Sequence, residues 1–152
     1  VIAPHVVSDS HLREILDKVK RPCIRYTEAT EENVTQADCL IIDCYGLLSS
    51  IYRYGEISYI GGGFGVGIHN VLEAAVYGIP VIFGPNNKKF REAQHLLEQK
   101  GGFEVTGYDD FKRLMDKFLS DKACLQQAGK AAGDYVNHNA GALEKIMKDI
   151  TL

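Results

Sequence analysis

Near its middle the chain reads Tyr59-Ile60-Gly61-Gly62-Gly63-Phe64-Gly65-Val66-Gly67-Ile68-His69-Asn70-Val71-Leu72-Glu73. Its apolar start predicts a strand that runs into a glycine-rich loop. A helical pattern follows over 70–77, and Gly78 and Pro80 end it. Seven of the fifteen glycines in the chain fall between Gly55 and Gly78. A strand, a glycine loop and a helix in this order are typical of α/β proteins.

On both sides of this loop, short apolar runs alternate with amphipathic stretches. The predicted strands cover 1–3, 23–26, 37–43, 57–60, 81–83 and 103–105. The predicted helices cover 11–20, 47–52, 70–77, 88–100, 108–119, 122–136 and 142–150. Continuously apolar strands that alternate with helices predict a three-layer α/β/α fold with a mainly parallel sheet. We expect one domain over 1–152, with terminal helices at about 122–150.

The composition excludes several classes of protein. The 152 residues are 45% apolar and 24% charged, with a formal net charge of −3. This charge gives no basic footprint for nucleic acid and no polybasic patch for a membrane. No apolar run is long enough to span a bilayer, and the N-terminus does not resemble a secretory signal. Because the chain starts directly on an apolar stretch at Val1, we expect a domain excised from a larger protein; a processed full-length chain is the alternative.

The four cysteines show neither a Cys-x-x-Cys pair nor zinc-finger spacing with histidine. Cys39 and Cys44 flank an apolar run, and Cys23 and Cys124 stand apart from them. We expect all four to be small buried hydrophobic residues in a reducing compartment. A disulfide or metal role is the alternative.

The glycine-rich loop is a candidate phosphate site. Ligands of parallel sheets bind beyond the carboxyl ends of the strands, which directs attention to the loops at 4–5, 43–46, 61–70 and 84–89. Glycines let the backbone approach a ligand and turn several N–H groups towards one anion. The start of the following helix adds further N–H groups and a positive dipole end. The alternative is that the glycines only make a tight turn.

The loop matches neither of the two common phosphate-binding motifs. No register places glycine at all three positions of Gly-x-Gly-x-x-Gly, and no Gly-Lys-Ser/Thr follows. The next strand is followed by Gly84 and Pro85, with no acid to hold a ribose. A dinucleotide fingerprint and a P-loop are therefore excluded.

The sequence allows two roles for Asn70 and Glu73, helix capping and ligand binding. Asn70 is a good N-cap, and Glu73 then occupies the N3 position of a capping box. A carboxylate one turn inside the helix can also accept hydrogen bonds from both hydroxyls of a ribose, whereas a phosphate would repel it. His69 either donates to a phosphate or fills the loop.

Several blocks carry a family resemblance. They are Gly61-Gly62-Gly63-Phe64, the block at 67–75 with its His-Asn-x-x-Glu motif, and the blocks at 78–85 and 90–92. Together they resemble the donor-domain signature of the 3-deoxy-D-manno-octulosonic acid (Kdo) transferases. Further similarity lies in Ala3-Pro4-His5, in Asp43-Cys44-Tyr45-Gly46-Leu47-Leu48 followed by Tyr52, and in the tail at 139–142.

The resemblance implies a function and a fold. Kdo transferases have a two-domain GT-B fold, and this chain resembles its Rossmann-like C-terminal half, which binds the donor CMP-Kdo. The implied reaction is transfer of Kdo to a lipid A precursor in lipopolysaccharide core synthesis. The acceptor site and the catalytic carboxylate are expected in a missing N-terminal half. That half is expected to dock on the cytoplasmic face of the bacterial inner membrane, and this fragment alone is expected to be soluble and inactive.

The resemblance also implies roles for individual residues. Gly62, Gly63 and the helix start would stabilise the departing phosphate, with Asn70 touching it and Glu73 holding the ribose. The remaining donor-binding residues are Phe64 and His69 in the glycine loop, Tyr45, Gly46 and Leu47 near cytosine, and Pro4 and His5 at the border of the nucleotide. No cofactor, no metal and no nucleic-acid partner is expected.

The chain departs from the family pattern at some positions. Leu47 replaces a common acid, Ile68 replaces a glycine, and the first loop, Pro4-His5-Val6, is less basic than usual. Two alternatives stay open: another GT-B domain that uses a UDP-sugar, as a transferase or epimerase, and a non-catalytic nucleotide-binding domain.

Overall fold

The computed structural model describes residues 1–141 and residue 147. The chain divides into two compact units, Val1–Ile51 and Tyr52–Leu152. Of the helix predicted at 142–150, only Met147 lies within the described residues, and it is helical. The expectation of one domain over 1–152 stays a prediction.

The first unit contains a small parallel sheet. Its elements are α1 (Asp9–Lys18), β1 (Cys23–Arg25), β2 (Cys39–Ile41) and α2 (Leu48–Ile51). The two strands pair in parallel, and Ile41 also pairs in parallel with Ile2. Helix α1 begins where the Ser8 hydroxyl accepts a hydrogen bond from the His11 N–H at 3.3 Å. Leu12 is the buried residue of this helix.

The second unit contains a three-stranded parallel sheet with helices between its strands. Its elements are β3 (Ser58–Ile60), α3 (Leu72–Ala75), β4 (Val81–Phe83), α4 (Arg91–Glu98), β5 (Gly102–Glu104), α5 (Tyr108–Ser120) and α6 (Lys122–Asn139). The strand order is β3-β4-β5, so the strands lie in the order of the chain. The carboxyl ends of all three strands therefore face the same edge of the sheet.

The central strand β4 contributes side chains to two apolar cores, because successive side chains point to opposite faces of a sheet. Val81 and Phe83 pack with residues of α3 and α4, such as Leu96. Ile82 packs in the other core with Phe118 of α5. All three β4 side chains are fully buried, and burial of each stabilises the fold by about 1.5–3 kcal/mol. This layering confirms the predicted α/β fold with parallel strands.

Several elements are shorter than the sequence predicts. At 1–3 only Ile2 pairs with a strand. The helix predicted at 70–77 is reduced to α3, because Tyr77 and Gly78 close its last turn with hydrogen bonds to residues three positions earlier. Gly78 then leaves the helix with φ of +69°. The helix predicted at 88–100 begins only at Arg91, because Phe90 has an extended backbone.

None of the helices in the part of the chain that the structure describes is both long and apolar enough to cross a membrane.

Candidate functional site

The loop between β3 and α3, residues 61–70, is called the glycine loop below. It begins at the carboxyl end of β3 and folds back on itself through two main-chain hydrogen bonds. The Gly65 N–H donates to the Gly62 oxygen at 2.9 Å, and the His69 N–H donates to the Gly61 oxygen at 3.1 Å. These two N–H groups hold the loop together.

Three glycines are required here by close backbone packing. A Cβ at Gly63 would lie 2.6 Å from the main-chain nitrogen of Gly84, and a Cβ at Gly84 would lie 2.7 Å from the carbonyl carbon of Gly63. Gly62 has φ of +90°, and a Cβ there would lie 2.2 Å from the Gly67 oxygen. The tight-turn interpretation therefore accounts for these glycines, and phosphate binding stays a prediction.

The segment after β4, residues 84–87, is called the asparagine loop and packs against the glycine loop. The Asn86 N–H donates to the Gly63 oxygen at 2.9 Å, and the Asn86 side-chain amide donates to the Gly65 oxygen. Asn87 is 1% exposed and shares hydrogen bonds with Glu104 at 2.7 Å and with Gln94 at 2.6 Å. The sequence marked the loop at 84–89 but not these two residues; a paired Asn-Asn shortly after a buried strand was the available signal.

Asn70 and Glu73 are joined by a hydrogen bond. The Asn70 side-chain nitrogen donates to the Glu73 carboxylate at 3.0 Å, and the Asn70 side-chain oxygen accepts the Leu72 N–H at 3.0 Å. Val71, the residue before α3, already has helical dihedrals. The Asn70 side chain therefore satisfies a main-chain donor at the helix start from one residue further out, as a capping residue does. Asn70 is exposed and Glu73 half-buried, so both reach the surface.

The Glu73 carboxylate also acts on a neighbouring phenol. Burial, together with the negative charge of Glu73, raises the pKa of Tyr52 above its ordinary value. Tyr52 packs against the core that contains α3. It therefore stays neutral near Glu73 at physiological pH.

The dipole predicted at the helix start is weaker than expected. Helix α3 contains four residues, and a macrodipole is the sum over aligned peptides. A helix of one turn contributes little beyond its first N–H groups. Any anion at this loop would therefore be held by individual N–H donors.

His69 and Phe64 border two different hollows of the second unit. His69 is exposed and lines a cavity of about 260 Å³ together with Asn70, Leu72, Phe90 and Glu92. Phe64 is 58% exposed and lines a larger, apolar hollow of about 460 Å³. The aromatic residues Tyr59, Tyr108 and Phe111 line that hollow as well.

The remaining predicted residues lie in the first unit. Pro4 and His5 follow Ile2, and Tyr45, Gly46 and Leu47 follow β2. Because Ile2 pairs in parallel with Ile41, both segments leave the sheet at the same edge. Tyr45 and His5 are exposed, and Pro4 and Leu47 are half-buried.

An ion pair between the partly exposed Arg25 and the buried Asp43 anchors the segment that contains Tyr45. The Asp43 carboxylate accepts hydrogen bonds from the Arg25 guanidinium at 2.9 Å, from the Thr27 N–H at 3.0 Å and from the Thr27 hydroxyl at 2.5 Å. Burial alone would raise the pKa of Asp43, but the bonds from Thr27 and Arg25 outweigh it and lower that pKa below its ordinary value. Asp43 therefore carries a negative charge at neutral pH.

The six predicted residues of the second unit thus come together in one loop and one helical turn: Gly62, Gly63, Phe64, His69, Asn70 and Glu73. The five of the first unit come together at one sheet edge. Their assignment to a donor site stays a prediction.

The cysteines differ from the prediction in burial. Cys23, Cys39, Cys44 and Cys124 are free thiols, and each is partly exposed rather than buried. Cys23 and Cys39 are opposite each other on β1 and β2. Within residues 1–141 and 147, no three His, Cys, Asp or Glu side chains are placed to share a metal ion; that the protein needs none stays a prediction.

No protein-family profile matches the chain. Sequence comparison finds proteins named 3-deoxy-D-manno-octulosonic acid transferase in several bacteria. The Aquifex aeolicus protein is 37% identical over 57% of this chain, and the Chlamydia muridarum protein is 38% identical over 73% of it. The Rickettsia felis protein is 27% identical over 92% of the chain. The chain spans only 25–31% of the length of these three relatives.

Structure comparison finds the crystal structure of the C-terminal CMP-Kdo binding domain of WaaA from Acinetobacter baumannii. The TM-score is 0.67 at 19% identity, and the match covers 84% of this chain and 67% of that one. It confirms the fold class, a Rossmann-like α/β domain like the C-terminal half of a GT-B protein.

Proposed function

We propose that this chain, which belongs by its sequence to the Kdo transferases, is the donor-binding part of such an enzyme. The observation that carries the proposal is the match to proteins of that name over as much as 92% of the chain. The donor we propose is CMP-Kdo, which the related Acinetobacter domain is named for binding.

The glycine loop supplies main-chain N–H groups for the phosphate of this donor. Kdo transfer breaks the bond between the sugar and the CMP phosphate, so the phosphate gains negative charge as it leaves. Main-chain N–H groups at Gly62 and Gly63 would stabilise that charge, because fixed dipoles need no reorganisation during the reaction. The exposed position of Gly62 leaves room for a ligand.

Glu73 is suited to the ribose. One of its carboxylate oxygens accepts the Asn70 amide, and a carboxylate has about four acceptor sites. The Asn70 contact helps to orient the carboxylate, and the remaining sites would accept ribose hydroxyls. The roles of Pro4, His5, Tyr45, Gly46 and Leu47 rest on the family resemblance alone.

The acceptor half of the reaction belongs, in this proposal, to residues outside this chain. A base there would take the proton of the attacking hydroxyl of a lipid A precursor. That part would also place the enzyme at the cytoplasmic face of the bacterial inner membrane. We propose no metal or other cofactor.

Calorimetric titration with CMP and with UMP tests the proposal. Cytosine has a donating 4-amino group where uracil has an accepting oxygen, so a site built for one should reject the other. We expect CMP to bind at least about tenfold more tightly than UMP. Tighter binding of UMP would favour a UDP-sugar enzyme, and no binding of either would leave the proposal without support from this chain.

A further inference from the structure

We propose that Asn86 is a positioning residue that sets the direction of the phosphate-binding N–H groups of the glycine loop. The inference rests on the proposed function, because it concerns the same phosphate. Two further donors, the N–H groups of Phe64 and Val66, would join those of Gly62 and Gly63, and Asn86 would orient them.

Asn86 holds two alternate carbonyl groups of the glycine loop. Its main-chain N–H donates to the Gly63 oxygen at 2.9 Å, and its side-chain amide donates to the Gly65 oxygen. A trans peptide is planar, so the carbonyl of one residue and the N–H of the next point in opposite directions. Fixing these two carbonyls towards Asn86 turns the N–H groups of Phe64 and Val66 away from it.

These two N–H groups belong to an exposed stretch of the loop. Phe64 and Val66 are both exposed residues, as is Gly65 between them. Main-chain N–H groups that a glycine-rich turn directs to one side can form an anion-binding concavity. The pair is therefore placed to bind phosphate oxygens without a long helix behind it.

Asn86 stands on a rigid support. The adjacent Asn87 is almost fully buried, and its side-chain nitrogen donates to the Gly84 oxygen at 2.9 Å and to the Glu104 carboxylate at 2.7 Å. Gln94 of α4 donates to the Asn87 side-chain oxygen at 2.6 Å. The asparagine loop is thus tied to β5 and α4 before it meets the glycine loop.

Asn86 itself is exposed, so its side chain can be changed with little effect on folding. Asn86→Leu keeps a similar size and removes the donor. Asn139→Ala is the matched control, because Asn139 also donates its side-chain amide to a main-chain oxygen, that of Tyr135 at 2.8 Å, far along the chain from the loop.

The first readout needs no ligand. Hydrogen exchange of the Gly65 and His69 N–H groups, which close the glycine loop, should quicken by about fivefold in Asn86→Leu, as expected for the loss of one supporting hydrogen bond. The Asn139→Ala variant should leave both rates unchanged. Unchanged rates in Asn86→Leu would overturn the inference.

The second readout is the affinity for CMP compared with cytidine, which lacks the phosphate. We expect Asn86→Leu to weaken CMP binding by about fivefold to tenfold and cytidine binding by less than about twofold, with an unchanged melting temperature. Equal loss for both ligands, or none, would contradict a phosphate-positioning role. If the unaltered chain fails to bind CMP, the proposed function itself fails; if it binds and Asn86→Leu binds equally, only this inference fails.

Discussion

The Asn70 carboxamide makes two hydrogen bonds: its oxygen accepts the Leu72 N–H, and its nitrogen donates to the Glu73 carboxylate. This arrangement unites the two interpretations of the sequence, because the same side chain satisfies the helix start and orients an acid. Capping explains Asn70 fully. It leaves the second oxygen of Glu73 available, and that oxygen is where a ribose hydroxyl would bind.

Glu73→Gln separates these roles. Glutamine keeps the oxygen that accepts the Asn70 amide but loses the charge that strengthens bonds to hydroxyl groups. We expect CMP affinity to fall by about tenfold and the melting temperature to change little, as measured by calorimetric titration and thermal unfolding. A large drop in melting temperature with unchanged CMP affinity would show that capping is its main role.

Asp43 gives a prediction on stability. Asp43→Asn replaces a buried carboxylate that accepts from Arg25 and Thr27, and it leaves the guanidinium with only the exposed Glu28 carboxylate, at 3.3 Å, as its ion-pair partner. We expect the free energy of unfolding to fall by about 2–3 kcal/mol at pH 7, measured by urea denaturation.

The same residue predicts a pH dependence. Because the pKa of Asp43 is lower in the folded chain than its ordinary value, its contribution is complete above about pH 4 and is lost as the pH falls through the folded pKa. The difference in stability between the original chain and Asp43→Asn should therefore shrink below about pH 4. A difference that stays constant down to pH 3 would refute this assignment.

At the scale of elements, the glycine loop and the asparagine loop form one packed unit at the carboxyl ends of β3 and β4. Their backbones approach so closely at Gly63 and Gly84 that neither position has room for a side chain. The geometry of the proposed phosphate site in the glycine loop thus depends on the asparagine loop, which follows β4.

Gly63→Ala tests this packing. Its Cβ would meet the main chain of Gly84 at 2.6 Å, so we expect a loss of about 1–3 kcal/mol in the free energy of unfolding. Gly65→Ala is the control, since the nearest atom to a Cβ there is the Gly62 oxygen at 3.8 Å, an ordinary contact, and its effect should stay within about 0.5 kcal/mol. Equal stability of the two variants would mean that the loops do not pack as described.

The sequence predicted which helices and strands occur better than it predicted the residues at which they begin and end. The apolar pattern located β4 at its observed bounds, because a strand buried on both faces is apolar throughout. It overestimated the helix at 70–77. Helix α3 ends at Ala75, and the N–H groups of Tyr77 and Gly78 bond to oxygens only three residues earlier. The Asn-Asn pair marks the loop, but its bonds to Gly63, Gly65 and Glu104 join residues distant in sequence, so no local pattern predicts these partners.

At the scale of the whole molecule, the chain spans about a quarter to a third of its relatives. The proposed catalysis accordingly needs a partner domain. We expect this chain alone to show no Kdo transfer from CMP-Kdo to a lipid A precursor, and fusion to the N-terminal part of a related transferase to restore it. Transfer by this chain alone would contradict the proposed division of the active site.

The proposal that the glycine loop binds the donor phosphate is tested most directly by titrating the ¹⁵N-labelled chain with CMP and following each amide resonance. We expect shifts concentrated at 61–73, strongest at Gly62, Gly63, Phe64 and Val66, and weaker or absent with UMP. Saturable CMP binding that leaves every resonance between 61 and 73 unmoved would contradict it.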